Sequence, residues 1–222
     1  MKINLNKYID HTLLKRDAVS SEIDKLIEEA LKYKFKTICI HPMWIEYSKN
    51  KLDNSDVEIT TVIGFPFGTQ TTETKLFEAK DAILKGVDEL DFVSPVSKVH
   101  ENDTKYIKNE LKLIRELTKG KVIKLILETG LLNKEEIKYI SKLAIDENWD
   151  FIKTSTGIGA GGAKVEDVKI MKEIAGKNHQ VKASGGVRSY EDAIKMIEAG
   201  ATRIGTSNGV DIIEGKIAKK DY

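Results

Sequence analysis

The sequence predicts a closed (β/α)8 barrel, and three observations carry that expectation. Eight short runs, mostly rich in Val and Ile, recur along the 222 residues, and longer, largely amphipathic segments separate them. Strict alternation of strand and helix requires a parallel sheet, because each crossover returns the chain to the same edge. Eight such units in 222 residues fit a barrel of minimal size. With seven strands, an open doubly wound sheet would be the alternative.

The strand candidates are 8–10, 37–40, 59–63, 89–93, 122–127, 151–154, 180–183 and 202–205. They are short and mostly apolar, as strands buried on both faces should be; 8–10 is the weakest of them. The helix over 21–33 places Ile23, Leu26, Ile27, Ala30 and Leu31 at spacings of three and four. Segments 72–85, 106–118, 134–147, 165–174 and 190–199 behave similarly, whereas the connection at 42–49 has no clear period. The expected organisation is one domain over 1–222 with a short C-terminal tail.

Composition narrows the function. Lys and Arg number 36 against 35 Asp and Glu, so the net charge is +1 and nothing favours a nucleic-acid or membrane partner. The lysine-rich stretch 105–124 reads as a solvated helix face. One cysteine excludes an internal disulfide and fits a reducing, cytoplasmic setting. The N-terminal MKINLNKYIDHTLL has no signal-like apolar core, and no apolar run approaches spanning length. His11, His41, His100 and His179 have no ligand spacing, so no metal is expected.

The strands carry charge where a barrel should be apolar. In KLILE, period-two alternation sets Lys124, Ile126 and Glu128 on one face and Leu125 and Leu127 on the other. The leucines must meet the helices, so Lys124 and Glu128 point inward. The same reasoning turns Glu89 and Asp91, Lys153 and Lys182 inward. Cys39 lies opposite Ile38 and Ile40, as a small core residue or one facing the site. Burial and a neighbouring cation lower a lysine's pKa and leave a free amine. Such an amine attacks an aldehyde or ketone to form a Schiff base, whose iminium accepts the electrons of a breaking C–C bond. Asp91 is placed to act as an acid or base. Spacing alone does not choose among the lysines. Glycine-rich stretches at 157–162, 185–186 and 205–209 follow three of the strands, where backbone N–H groups can hold a phosphate.

Seven segments together resemble the deoxyribose-phosphate aldolase family of class I aldolases: IDHTLL (9–14), VIGFPFG (62–68), ELDFV (89–93), KLILETG (124–130), FIKTSTG (151–157), VKASGGVR (181–188) and RIGTSNG (203–209). The resemblance implies reversible cleavage of 2-deoxy-D-ribose 5-phosphate to D-glyceraldehyde 3-phosphate and acetaldehyde, with no cofactor. It implies Lys153 as the Schiff-base lysine, Lys182 as the cation that keeps it unprotonated, and Asp91 as the partner of Lys182 and a water in proton transfer. Gly185, Gly186 and Ser207 match phosphate-holding positions, and Asp10, Cys39 and Lys124 match polar positions of the site. Tyr222 matches a terminal tyrosine that assists proton transfer in some members. Two departures stand out: Asn208 replaces a second serine, and Ile158 replaces a lysine of some relatives. Arg188 and Arg203 are candidates for the phosphate or for rim ion pairs. A homo-oligomer is expected. The competing readings are a Schiff-base aldolase for another phosphorylated sugar, a metal-dependent aldolase, and a phosphosugar-binding barrel without catalysis.

Overall fold

Helix periodicity and strand alternation resolve into eight parallel strands closed in sequence order, β1 pairing with both β2 and β8. The computed structural model describes residues 4–218. The strands are β1 Ile9–Leu13, β2 Thr37–Ile40, β3 Glu58–Ile63, β4 Glu89–Val93, β5 Val122–Ile126, β6 Phe151–Lys153, β7 Gln180–Ser184 and β8 Arg203–Thr206. The helices among the described residues are α1 Ser20–Tyr33, α2 Ile45–Lys51, α3 Thr72–Leu84, α4 Val96–His100, α5 Thr104–Leu117, α6 Lys134–Asp146, α7 Val165–Ala175, α8 Tyr190–Glu198 and α9 Gly209–Ile213. None is long and apolar enough to cross a membrane.

Two boundaries differ from the sequence expectation for local reasons. Tyr8 closes a 3-10 turn, Leu5–Tyr8, and the first strand instead runs on through Asp10, His11 and Thr12 to Leu13. Its polar residues obscure it in sequence, yet all of 10–13 pair with 37–40. The unclear connection at 42–49 splits into a 3-10 turn, Pro42–Trp44, and α2, with Pro42 at the turn's start, where its missing N–H costs nothing.

Outward-facing Ile38, Ile40, Leu90, Phe92, Leu125, Ile152, Val181 and Ile204 pack against the helices in one continuous core. Trp149 is fully buried there, edge-on to Phe92 at 5.4 Å, and its indole N–H donates to the Leu111 carbonyl. Side chains of Thr71, Asp103, Asn133 and Ser189 cap the starts of α3, α5, α6 and α8. Asn133 accepts from the N–H groups of Glu135 and Glu136, while Glu136 accepts from Asn133 N. Such caps contribute about 1 kcal/mol each. This shell leaves the barrel interior for the charged residues.

Candidate active site

Alternation along the strands builds the site in levels. Glu89, Phe151 and Arg203 open their strands and so stand at the N-terminal end of the barrel, while Lys153 closes β6 at the opposite end. Cross-strand register puts Asp91 beside Lys124, Lys153 beside Lys182, and Lys182 beside Arg203. Gly205 lies opposite Asp10. A Cβ there would sit 3.0 Å from Lys182 Cε and 2.9 Å from Ser184 Cβ, so glycine makes the space that the Lys182 stem occupies.

Asp91 is the hub. Its Oδ1 accepts from Lys124 at 2.7 Å, and its Oδ2 accepts from both Lys153 and Lys182 at 2.8 Å. Lys182 also lies 2.5 Å from Asp10, and Lys124 lies 2.6 Å from Glu89. Arg203 bridges Asp10 at 2.7 Å and Glu89 at 2.8 Å. This corrects the expectation for Arg203: it is neither a phosphate contact nor a rim residue, but a buried tie between two interior carboxylates, with its guanidinium 5.1 Å from the Phe151 ring.

The cluster's charges set its protonation. Burial disfavours the ions of Asp10, Glu89 and Asp91, but the surrounding cations outweigh it and hold all three below the usual carboxylate range. Burial likewise opposes the charge on Lys182 and Lys124, and their carboxylate neighbours override it and push both up. Lys153 goes the other way. Burial pushes it down, Asp91 opposes that, and Lys182 adds to it. Burial is therefore the leading cause of its free-amine tendency, with Lys182 assisting.

A cavity of about 750 Å³ opens at the C-terminal end of the strands. Lys153 lines it, with Thr156, Gly157, Ile158, Ser184, Gly185, Gly186 and Ser207. Phe65, Pro66 and Phe67 form an apolar wall with the His41 ring edge-on to Phe65 at 5.9 Å, and Lys15 and Arg16 of the loop after β1 also line the cavity. Lys124, Lys182, Asp91, Asp10 and Cys39 are buried and do not line the cavity. Cys39 packs with Leu14 and Val62, and burial pushes its thiol up, as suits a small core residue. Asn208 stands at the N-cap of α9, its N–H donating to Thr206 Oγ1, and Ser207 is the neighbour on the wall. Arg188 is not among the lining residues. Tyr222 lies outside the described residues.

Gly185 takes φ +85°, and the glycine-rich loops touch through their backbones. The Ala163 N–H donates to the Gly185 carbonyl, and a Cβ on Gly162 would fall 2.3 Å from that oxygen. Glycine is thus required for the loops after β6 and β7 to close on each other beside the cavity.

Glu128 departs from the expected inward strand position. β5 ends at Ile126, and Glu128 adopts the left-handed conformation at φ 59°, unusual for a glutamate. Its carboxylate accepts from Thr156 Oγ1 at 2.5 Å and from the Thr156 N–H, and burial pushes its pKa up. It holds the segment after Lys153. Alternation gave no sign of this, since the strand stops two residues earlier; Thr156 inside FIKTSTG was the available hint. Among the described residues no group of His, Cys, Asp or Glu is arranged to hold a metal ion.

Comparison with known proteins agrees with this geometry. Residues 5–215 match the family described as DeoC/LacD family aldolase. The deoxyribose-phosphate aldolase of Finegoldia magna is 49% identical over 213 residues, covering 96% of this chain and all of the relative. That of Streptococcus equi subsp. zooepidemicus is 46% identical over 99% of this chain and all of its own length. Among solved structures, the deoxyribose phosphate aldolase from Aeropyrum pernix, described as tetrameric, superposes with a TM-score of 0.88 at 33% identity, covering 95% of this chain and 89% of that one. With an eight-stranded parallel barrel and interior lysines converging below its mouth, this chain belongs to the DeoC/LacD family of aldolases.

Proposed function

We propose that this chain cleaves 2-deoxy-D-ribose 5-phosphate reversibly to D-glyceraldehyde 3-phosphate and acetaldehyde, with Lys153 as the nucleophile. The observation that carries the assignment is that Lys153, of the three interior lysines, is the one that both lines the cavity and has its pKa lowered.

The amine of Lys153 adds to the C1 aldehyde of the open-chain sugar, and the carbinolamine loses water to give an iminium. A base takes the proton of the C3 hydroxyl. The C2–C3 bonding pair moves into the iminium, which becomes an enamine as D-glyceraldehyde 3-phosphate leaves. Protonation at C2 restores an iminium, and water releases acetaldehyde and the free lysine. Asp91 and Lys182 form an ion pair 2.8 Å apart beside Lys153, and in this reading the pair serves proton transfer through a water that relays to the substrate. Gly157, Gly185, Gly186 and Ser207 line the mouth where the phosphate would lie. Asp10 and Lys124 fix the hub from below, and Cys39 fills space beside it.

Borohydride reduction in the presence of deoxyribose 5-phosphate should trap an adduct that peptide mass spectrometry places on Lys153; an adduct on Lys182 or Lys124 refutes the assignment. As to context, we read the chain as one catalytic domain acting in the cytoplasm, in keeping with its lone buried cysteine. We also read it as a homo-oligomer, as its Aeropyrum relative is, which light scattering tests directly.

A further inference from the structure

Among the described residues, three lysine or arginine side chains belong to the cavity wall: Lys15, Arg16 and Lys153. Lys153 is hydrogen-bonded to Asp91 beneath the cavity. Lys15 faces two carboxylates of its own segment, Asp17 at 3.5 Å and Glu22 at 3.4 Å. Arg16 is exposed, and among the described residues it makes no hydrogen bond or ion pair.

Its place in the barrel gives that free guanidinium a direction. The loop after β1 carries Arg16, and β1 closes the barrel against β8. The β1 loop is therefore next to the β8 loop, which holds Ser207, and the β7 loop with Gly185 and Gly186 follows. The root of the Arg16 loop is pinned, because His41 Nε2 donates to the Leu14 carbonyl at 3.0 Å. On the phosphate side, none of the described loops supplies a full positive charge to the wall: Ile158 is apolar, Arg188 is not part of it, and Arg203 is used inside the barrel. Glycine N–H groups offer only partial charges to a dianion.

We propose that Arg16 is the side-chain cation that recognises the phosphate of the substrate, reaching it from the β1 lip opposite the residue-158 position. The proposal rests on the reading that the substrate is a sugar phosphate. A guanidinium can bond two phosphate oxygens at once. Its exposure keeps the effect modest, and Asp17 on the same lip is held by Lys15.

The test compares kcat/KM for 2-deoxy-D-ribose 5-phosphate with that for unphosphorylated 2-deoxy-D-ribose. Arg16→Ala should lower this preference about three- to tenfold, mainly through KM for the phosphorylated sugar. Arg16→Glu should lower it further, and Arg16→Lys should restore part of it. The wild-type dependence of KM on salt should weaken in Arg16→Ala. An unchanged preference in Arg16→Ala and Arg16→Glu, or a loss confined to Arg188→Ala, would overturn the assignment while leaving the sugar-phosphate reading intact. A wild-type protein with no preference for the phosphorylated sugar would overturn both.

Discussion

Replacing Lys182 by methionine keeps the stem and removes the charge, and the structure sets the size of the response. Lys153 and Lys182 each lie 2.8 Å from the same oxygen of Asp91. Their nitrogens are therefore at most about 5.6 Å apart, and at an effective dielectric constant of about 20 two unit charges at that distance repel by about 3 kcal/mol. That is about two pK units. Lys182→Met should raise the Lys153 pKa by about that much, since a nearby cation has been removed while Asp91, which favours its charge, remains. The reactive form is the free amine, present above that pKa. The acid limb of kcat/KM should move to higher pH by about two units, with a loss of up to about a hundredfold on that limb and recovery toward alkaline pH. Glu128 and Cys39, the other titratable groups whose charges act on Lys153, are present in both proteins. The assay is acetaldehyde release from pH 6 to 10, with circular dichroism as a folding control. A folded variant whose acid limb stays at the wild-type pH would refute the electrostatic role of Lys182.

Three further outcomes are expected. Lys75 is fully buried between α3 and α5, donating to Glu110 at 2.8 Å and to the Val93 carbonyl at the end of β4. Lys75→Met should destabilise the fold by about 3–5 kcal/mol by leaving the buried Glu110 without its cation, with only Thr72 Oγ1 among the described residues still donating to it, and adding Glu110→Gln should recover part of that; denaturant titration checks both. Prolonged chelator treatment should leave the rate unchanged, because the iminium supplies the electron sink a metal would otherwise provide; loss restored by zinc would refute this. Deleting Tyr222 should slow solvent exchange of the acetaldehyde methyl protons while sparing borohydride trapping at Lys153, and exchange at the full rate would show that it takes no part.

Much of the barrel was legible because two periods suffice for it. Alternation in KLILE and ELDFV turned Lys124, Glu89 and Asp91 inward, and their contacts follow from register. What sequence concealed was longer in range. His11 and Thr12, beyond the candidate 8–10, look like a polar loop until β2 and β8 flank them. Arg203 opens a short strand, and nothing local says that its partners are Asp10 and Glu89, 193 and 114 residues away. Lys75 reads as a surface lysine on an amphipathic helix, and only the packing of α3 on α5 reveals a buried pair. Glu128 kept the alternation in sequence but left the strand in space.

The interior cluster also supports the proposal that Lys153 is the nucleophile, a choice that spacing left open. Contacts of 4.0 Å or less join four basic groups, Lys124, Lys153, Lys182 and Arg203, to three carboxylates, Asp10, Glu89 and Asp91. Buried charge is costly unless balanced, so such a cluster favours three cations and one neutral base. Arg203 cannot surrender its proton near neutrality. Lys124 and Lys182 each contact two carboxylates at 2.8 Å or less, whereas Lys153 contacts Asp91 alone. The proton is therefore most weakly held on Lys153, the interior lysine that also lines the cavity. Buried ion clusters are often replaced by apolar side chains of equal volume without loss of stability, so stability alone is a weak reason for this one. Within the salt-bridged cluster the surplus of one basic group thus acts in the same direction as burial, which lowers the Lys153 pKa, and supports the reading of Lys153 as the reactive amine.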